Sequence, residues 1–220
     1  MGEEIMTRQL HTLVQGSTEW VAFRAEHYGA SEAAAMLGLS KKTSRTELLR
    51  LKSTGISKEF TDWVQKNILD KGHEVEAMAR PIIEKQIGDD LYPVTVSNGK
   101  LSASCDGLTM DYSIAIEHKQ WNAEYVAMVR SGVVPEEHMP QCQQVLMVTE
   151  ASKLLFVISN GTEENMVFMW VTPNKNWFDR IHAGWEQFSI DLAEYKRKLA
   201  AGEIEPPKVE VIAAPVMDLP

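Results

Sequence analysis

The sequence predicts an α/β protein built as one domain. Two kinds of stretch alternate along it. Apolar residues recur at helical spacing in 59–86 and 174–200, while short apolar runs such as Lys-Leu-Leu-Phe-Val-Ile-Ser at 153–159 read as strands. At 220 residues the chain is long enough for one good-sized core, and no repeat or linker divides it. Residues 1–16 read as a loosely structured lead-in. Residues 203–220 read as a Pro-rich tail that packs on a neighbouring subunit or stays mobile.

Composition narrows the function classes. Apolar residues make up 44% of the chain and charged residues 24%, the balance of an ordinary soluble protein. No apolar run approaches a membrane span, and the acidic, mixed N-terminus is no secretory signal. The two cysteines, Cys105 and Cys142, offer neither zinc spacing nor a disulfide framework, which suits a reducing, cytosolic setting. A formal net charge of −9 speaks against a nucleic-acid partner, whose affinity comes largely from Lys and Arg on phosphates. A small basic channel with bound metal ions would override that, and the acidic remainder would keep DNA off the rest of the surface.

In chain order, Ser17 is placed to cap a helix running to about Ala25, with Trp20, Val21 and Phe23 on its apolar face. Ser31 is placed to cap a short helix over 32–37, closed by Gly38. A helix over 44–53 buries Leu48, Leu49 and Leu51 and stops at Gly55. The segment 40–58 carries Lys41, Lys42, Arg45, Arg50, Lys52 and Lys58 against few acids, and so supplies a cationic patch. A long helical stretch follows over 59–86, with Pro81 expected to kink or split it near Arg80. Glu76 falls at the edge of its apolar face, one turn after Gly72. Glycine there costs about 1 kcal/mol against Ala, which close approach of another backbone or of DNA would offset. Strands over 91–96 and 100–104 join through an Asn98-Gly99 turn. Next come a helix over 123–130 and a helix beginning at Pro135, with Glu136 and Glu137 in its first turn. That helix carries His138, Gln141, Gln143 and Gln144. Strands over 153–159 and 165–171 join at Asn160-Gly161, and a last helix over 174–200 ends at Gly202.

The chemistry concentrates in 104–119. Asp106-Gly107 reads as a turn, with a strand after it. Residues two apart on a strand share a face, so Glu117 and Lys119 point one way and Ile114, Ile116 and His118 the other. The turn would bring Asp106 back to the end of that strand, so that two carboxylates and one ammonium converge. Hard carboxylate oxygens suit Mg²⁺, with Mn²⁺ as substitute. Such an ion lowers the pKa of a bound water and neutralises charge building on a phosphate. A lysine beside it can orient or deprotonate that water. One acid, a gap, then Glu-x-Lys resembles the core of the PD-(D/E)xK nucleases. Each feature alone also has an ordinary use, since Asp-Gly is common in turns and Glu-x-Lys on solvated strand faces. Arg24 with Ser31 at a helix start would make an anion pocket, although a surface arginine and a helix cap are the commoner roles.

With these residues in place, the chain resembles the lambda exonuclease and viral alkaline exonuclease (YqaJ-type) recombinase family, from about Trp20 to the last helix. The motifs stand in the family's order: Trp20 and Arg24, then Ala30-Ser31-Glu32, then Gly72, Glu76 and Ala79-Arg80. Ser104-x-Asp106-Gly107-Leu108 and Glu117-x-Lys119 follow, and after them Gln141-x-Gln143 and Met147-Val148-Thr149. The resemblance implies a restriction-endonuclease-like core, a mixed central sheet flanked by helices. It implies Mg²⁺-dependent, processive 5′→3′ digestion of one strand of linear double-stranded DNA, with two ions per active site. It also implies a ring-shaped homotrimer and a single-strand annealing protein that receives the 3′ overhang, as in phage recombination in a bacterial cytoplasm. By position, Asp106 and Glu117 resemble the metal ligands, assisted by the backbone carbonyl of His118. Lys119 resembles the residue beside the attacking water, Glu76 the helical acid that helps a second metal or water, and Gln143 the glutamine that orients Lys119. Arg24, Ser31 and Ser104 resemble the pocket for a 5′-phosphate, and Leu69 the apolar wedge that splits terminal base pairs. Lys41, Lys42 and Arg45 are the expected further DNA contacts.

Some positions depart from the family. Cys105 stands where proline is known. Tyr125 stands where a phosphate-binding arginine is known, so Arg130 or a basic residue of 41–45 would have to substitute. His118 stands where the residue is usually apolar, and its side chain is expected to pack. Two other readings use the same residues. One is a structure-specific endonuclease on this core; an iron–sulfur exonuclease of the CRISPR type needs four cysteines and is excluded. The other is a catalytically inactive DNA-binding or assembly module, against which the intact Asp106, Glu117 and Lys119 argue.

Overall fold

The computed structural model describes residues 8–14, 16–55, 59–60, 71–206 and 211–212. The elements in order are β1 (Gln9–His11), α1 (Thr18–Glu26), β2 (Tyr28–Gly29), α2 (Ala33–Met36), α3 (Arg45–Thr54), β3 (Glu59–Phe60) and α4 (Lys71–Ile87). They continue with β4 (Tyr92–Asn98), β5 (Leu101–Leu108), β6 (Ile114–Gln120), α5 (Ala123–Arg130), α6 (Met139–Thr149), β7 (Lys153–Ser159), β8 (Met166–Val171), α7 (Lys175–Ala200) and β9 (Val211–Ile212). The frame is a seven-stranded mixed sheet in the order β1-β4-β5-β6-β7-β8, with β2 beside β5. The β6–β7 and β2–β5 pairs are parallel, and the others in the sheet are antiparallel. Among the described residues, no helix is long and apolar enough to cross a membrane.

Local chemistry explains several boundaries. Ser17 accepts a hydrogen bond from the Trp20 N–H and opens α1. Ser44 and Glu47 form a reciprocal capping box at the start of α3, and Gly55 ends that helix at φ 68°. Gly99 turns the β4–β5 hairpin at φ 59°. Alternation along β7 splits the interior in two. Leu154, Phe156 and Ile158 face a large core with Val145 and Val148 of α6 and Trp185 and Phe188 of α7. Leu155 and Val157 face the other way, where Ala79 and Ile83 of α4 also pack on Ile116. Each fully buried aliphatic or Phe side chain contributes roughly 1.5–3 kcal/mol, so both faces of β7 are pinned.

The sheet forks at β5. One edge of β5 pairs with β4 along its length. On the other edge β6 takes only Gly107 and Leu108, opposite Ile116 and Ala115, while β2 takes only Leu101 and Ser102. Among the described residues, 103–106 therefore have no strand partner on that side. Gln144 of α6 closes the β2 end of the gap. Its Nε2 donates to the carbonyls of Tyr28 and Ser102, and its Oε1 accepts from Trp185 Nε1.

Several expectations change. Asp106-Gly107 is not a turn but lies inside β5, and the reversal comes at Asp111-Tyr112, with Tyr112 at φ 61°. Glycine is needed at 107 because an added Cβ would sit 3.0 Å from Leu91 Cβ. Residues 9–11 are not loose lead-in but an edge strand on β4. Residues 59–60 are strand rather than helix, and they pair with residues 211–212 of the same chain. Pro81 lies inside an unsplit α4, whose Ala79 and Ile83 are seated on the sheet either side of it. Ser31 does not cap a helix: Gly29 occupies the cap of a short 3₁₀ turn, Ala30–Glu32, and the Glu32 carboxylate accepts its N–H. The helix expected from Pro135 begins at Met139, so Glu136 and Glu137 precede it.

Candidate active site

The fork opens a cleft of about 560 Å³, with β6 on its floor and α1 and the 29–31 segment on its opposite wall. Glu117 and Lys119 share a face of β6, as period-2 geometry requires. Lys119 Nζ donates to Glu117 Oε1 at 2.6 Å and to Gln141 Oε1 at 3.1 Å. Gln141 Nε2 donates to the same Glu117 oxygen at 2.6 Å. Asp106 reaches across the gap, and its Oδ2 accepts the His118 N–H at 2.7 Å. In an extended strand the N–H and C=O of one residue leave on the same side, so the His118 carbonyl is directed towards Asp106 as well. The His118 ring packs away from this point, 8% of the residue exposed, with Nε2 2.8 Å from Ser159 Oγ. Glu76 stands above on α4, bonded to Arg80, whose Nη2 also reaches the Asp106 carbonyl at 3.4 Å.

The electrostatics follow from crowding acids in a poorly hydrated gap. Burial, and then the charge of Glu76, push the Asp106 carboxyl up to about 7. Burial also carries Glu117 up to about 7, with the Asp106 charge adding and Lys119 opposing. For Glu76, burial outweighs Arg80 and raises the carboxyl. Burial works against the Lys119 ammonium, but the charges of Glu117 and Asp106 outweigh it and keep the proton on. His118 is pushed down to about 4 by burial and then by Lys119, so its ring is neutral and packed.

These residues fit a hard divalent cation. Glu117 is 1% exposed, and its Oε2 is buried without a hydrogen-bond partner among the described residues. A buried carboxylate oxygen left without a donor is costly, and a cation beside it would remove that cost. Among the described residues, no three His, Cys, Asp or Glu side chains group as a ligand set. The pair Asp106 and Glu117 suits Mg²⁺, which uses one or two carboxylates and keeps several waters.

The opposite wall carries Arg24, Ser31 and Ser104, all lining the cleft with Lys42. The Arg24 guanidinium lies over the Trp20 ring at 4.7 Å and pairs with Glu32 at 3.0 Å, with Nη2 3.5 Å from Ser31 Oγ. The Ser104 and Thr95 hydroxyls are 3.1 Å apart.

Residues 19–152 match the YqaJ-like viral recombinase domain. The chain belongs to that family. Among solved structures, this YqaJ-like chain is similar to the alkaline exonuclease LHK-Exo from Laribacter hongkongensis, at 22% identity and TM-score 0.68, covering 86% of this chain and 100% of the other. The LHK-Exo complex with dAMP gives 21% identity and the same TM-score and coverage. A phage-related exonuclease from Haemophilus somnus gives 11% identity and TM-score 0.54, covering 81% and 96%. At these identities the likeness speaks for the fold, which is the expected mixed sheet flanked by helices. No curated protein matches the chain.

Not every residue of this YqaJ-like chain singled out from its sequence lies at the cleft. Gln143 does not reach Lys119. It is buried on the far side of α6, where Oε1 accepts the Asn174 N–H at 2.9 Å and Nε2 donates to the Thr172 carbonyl at 3.0 Å. Gln141, its partner in the Q-x-Q motif, holds Lys119 instead. Arg45 is occupied too, paired with Asp191 at 2.6 Å and lying over Phe188 at the α3–α7 contact. Lys41 lies 3.3 Å from Glu137. Glu137 also accepts the Tyr125 hydroxyl, a bond that raises the Tyr125 pKa to about 12. Leu69 lies outside the described residues. An added Cβ at Gly72 would sit 2.8 Å from Gln120 Nε2, the end of an exposed side chain that can swing aside, so among the described residues no close backbone demands glycine there. Lys52, counted in the cationic patch of 40–58, is buried and bonded inside the protein.

Proposed function

We propose that the chain is a divalent-metal-dependent exonuclease that digests one strand of linear double-stranded DNA from its 5′ end. The observation that carries this reading is the meeting, in one cleft, of Asp106, Glu117, Lys119 and Gln141 with a wall formed by Arg24, Ser31 and Ser104. The first set suits hydrolysis of a phosphodiester. The second suits a terminal phosphate, which only a strand end offers. Asp106, Glu117 and the His118 carbonyl would hold Mg²⁺, or Mn²⁺ in its place, and the ion supplies an acidified water and charge neutralisation at phosphorus when bound.

The protein's own groups do the rest. Lys119, held as an ammonium, donates to the attacking water and meets the negative charge that builds on the phosphoryl oxygens. Gln141 fixes the Lys119 rotamer and that of Glu117 through one bridging amide. Water oxygen bonds to phosphorus, the bond to the 3′ oxygen of the terminal nucleotide breaks, and that oxygen leaves with a proton. The shortened strand begins again with a 5′-phosphate, the group that suits Arg24, Ser31 and Ser104. Each turnover thus regenerates the end that the pocket selects. The complementary strand is left as a 3′ overhang. The second ion with Glu76 beside it, the homotrimer, the annealing partner and the bacterial cytoplasmic setting belong to the same proposal and rest on the family resemblance.

The test is incubation with Mg²⁺ and linear duplex labelled and phosphorylated at one 5′ end. Progressive loss from that end, with covalently closed circles intact, is expected. Cutting of circles would move the reading to an endonuclease, and no cleavage with any divalent metal would end it.

A further inference from the structure

We propose that Lys52 is the charge compensator of the Arg24 site, a buried positioning residue that lets Arg24 meet a phosphate with its charge uncancelled. The inference rests on the reading of Arg24 as a ligand for a terminal phosphate. Behind Arg24 stands the Glu32 carboxylate. Its Oε1 accepts from Arg24 Nη2 at 3.0 Å, and its Oε2 accepts from the Gly29 N–H at 2.9 Å. An arginine paired with a glutamate is, as a unit, neutral. Such a pair has little long-range attraction for an anion.

Lys52 changes the sum. Its Nζ lies 2.8 Å from Glu32 Oε2 and donates to the carbonyls of Arg24 at 2.6 Å and His27 at 2.7 Å. An ammonium has three donors, and all three are satisfied here. The side chain of Lys52 is 5% exposed, that of Glu32 14% and that of Arg24 33%. Lys52 therefore cannot touch DNA. The three residues carry a net charge of one positive unit, and the member that lines the cleft most openly is Arg24. The two carbonyl bonds also fix the end of α1 from which Arg24 projects. Glu32 can then orient the guanidinium without neutralising the site.

Binding is measured by fluorescence anisotropy, in EDTA, on two short linear duplexes that differ only in a 5′-phosphate or 5′-hydroxyl. The wild-type chain is expected to prefer the phosphate, and Arg24→Ala to lose that preference. Lys52→Met should cut the preference by roughly tenfold. In Lys52→Met/Glu32→Gln both buried charges are gone and Arg24 is again uncancelled, so the preference should return to within about threefold of wild type. A preference that survives Lys52→Met, or one that stays lost in the double variant, overturns the compensator and leaves the phosphate site standing. The double variant buries no unpaired charge, so it decides the matter should Lys52→Met alone fail to fold. Equal affinities for the two ends in the wild-type chain overturn the phosphate-site reading and the compensator together.

Discussion

Gln141 and Gln143 stand two residues apart on α6, about 200° around the helix, so only one of them can face β6. Gln141→Ala should lower the cleavage rate by about 10–100-fold with little change in melting temperature. Gln143→Ala should instead cost about 1–3 kcal/mol of stability, because it strands the Asn174 N–H and the Thr172 carbonyl. Equal effects of the two on rate would contradict the assignment. Lys119→Ala should remove at least about a hundredfold of rate while the fold persists. His138, on the lining of the cleft, offers a pH test of its own. Burial, and then Lys119, push its pKa from 6.5 down to about 4. The unfolded chain therefore takes up the proton first as pH falls, and His138 draws stability down between 6.5 and 4. In His138→Phe that drain is gone, so the variant should gain on wild type across this window, by about 3 kcal/mol at most. A difference that does not vary with pH in denaturant titrations would contradict this. Asp106, Glu117 and Lys119 were legible in the sequence because their spacing is local to one hairpin. The choice of Gln141 over Gln143 was not, since it depends on how α6 is rotated against β6.

Elements whose ends are set by their own residues could be read directly, such as α3 between Ser44 and Gly55 or the Asn98-Gly99 hairpin. Those fixed by distant partners could not. Three residues, Gln9–His11, become strand only because β4 offers an open edge. Asp106-Gly107 carries a turn signal, yet the glycine is there for the approach of Leu91. Helix packing sets a similar demand at Gly184 on α7. An added Cβ there would overlap Met36 of α2, which is 2% exposed, and would lie 3.0 Å from Leu37 Cδ2. Alanine gains about 1 kcal/mol in helix propensity. Overpacking a filled core costs about 1–3 kcal/mol. Gly184→Ala should therefore lower the melting temperature by a few degrees; a rise would show that Met36 can yield.

For the whole molecule, a net charge of −9 with a cleft walled by Arg24, Lys42 and Lys119 predicts a protein that grips strand ends and ignores duplex flanks. Closed circular DNA should compete poorly with linear duplex in binding assays, and EDTA should stop cleavage while leaving the melting temperature of the metal-free chain in place. Light scattering should give three times the chain mass; a clean monomer at assay concentration would count against the ring. The parallel pairing of β6 with β7 and the splitting of β5 between β6 and β2 lie beyond sequence patterns, because partner choice is a property of the assembled sheet. That split has a spectroscopic consequence. Alternate amides of β6 point towards β7 or towards the gap, and the His118 amide is hydrogen-bonded to an acid side chain instead of to another strand. In hydrogen–deuterium exchange, Asp106→Ala should strip protection from His118 while Glu117 and Lys119 on either side keep theirs. One amide in the middle of a protected strand thus becomes a gauge of how firmly the Asp106 carboxylate is held.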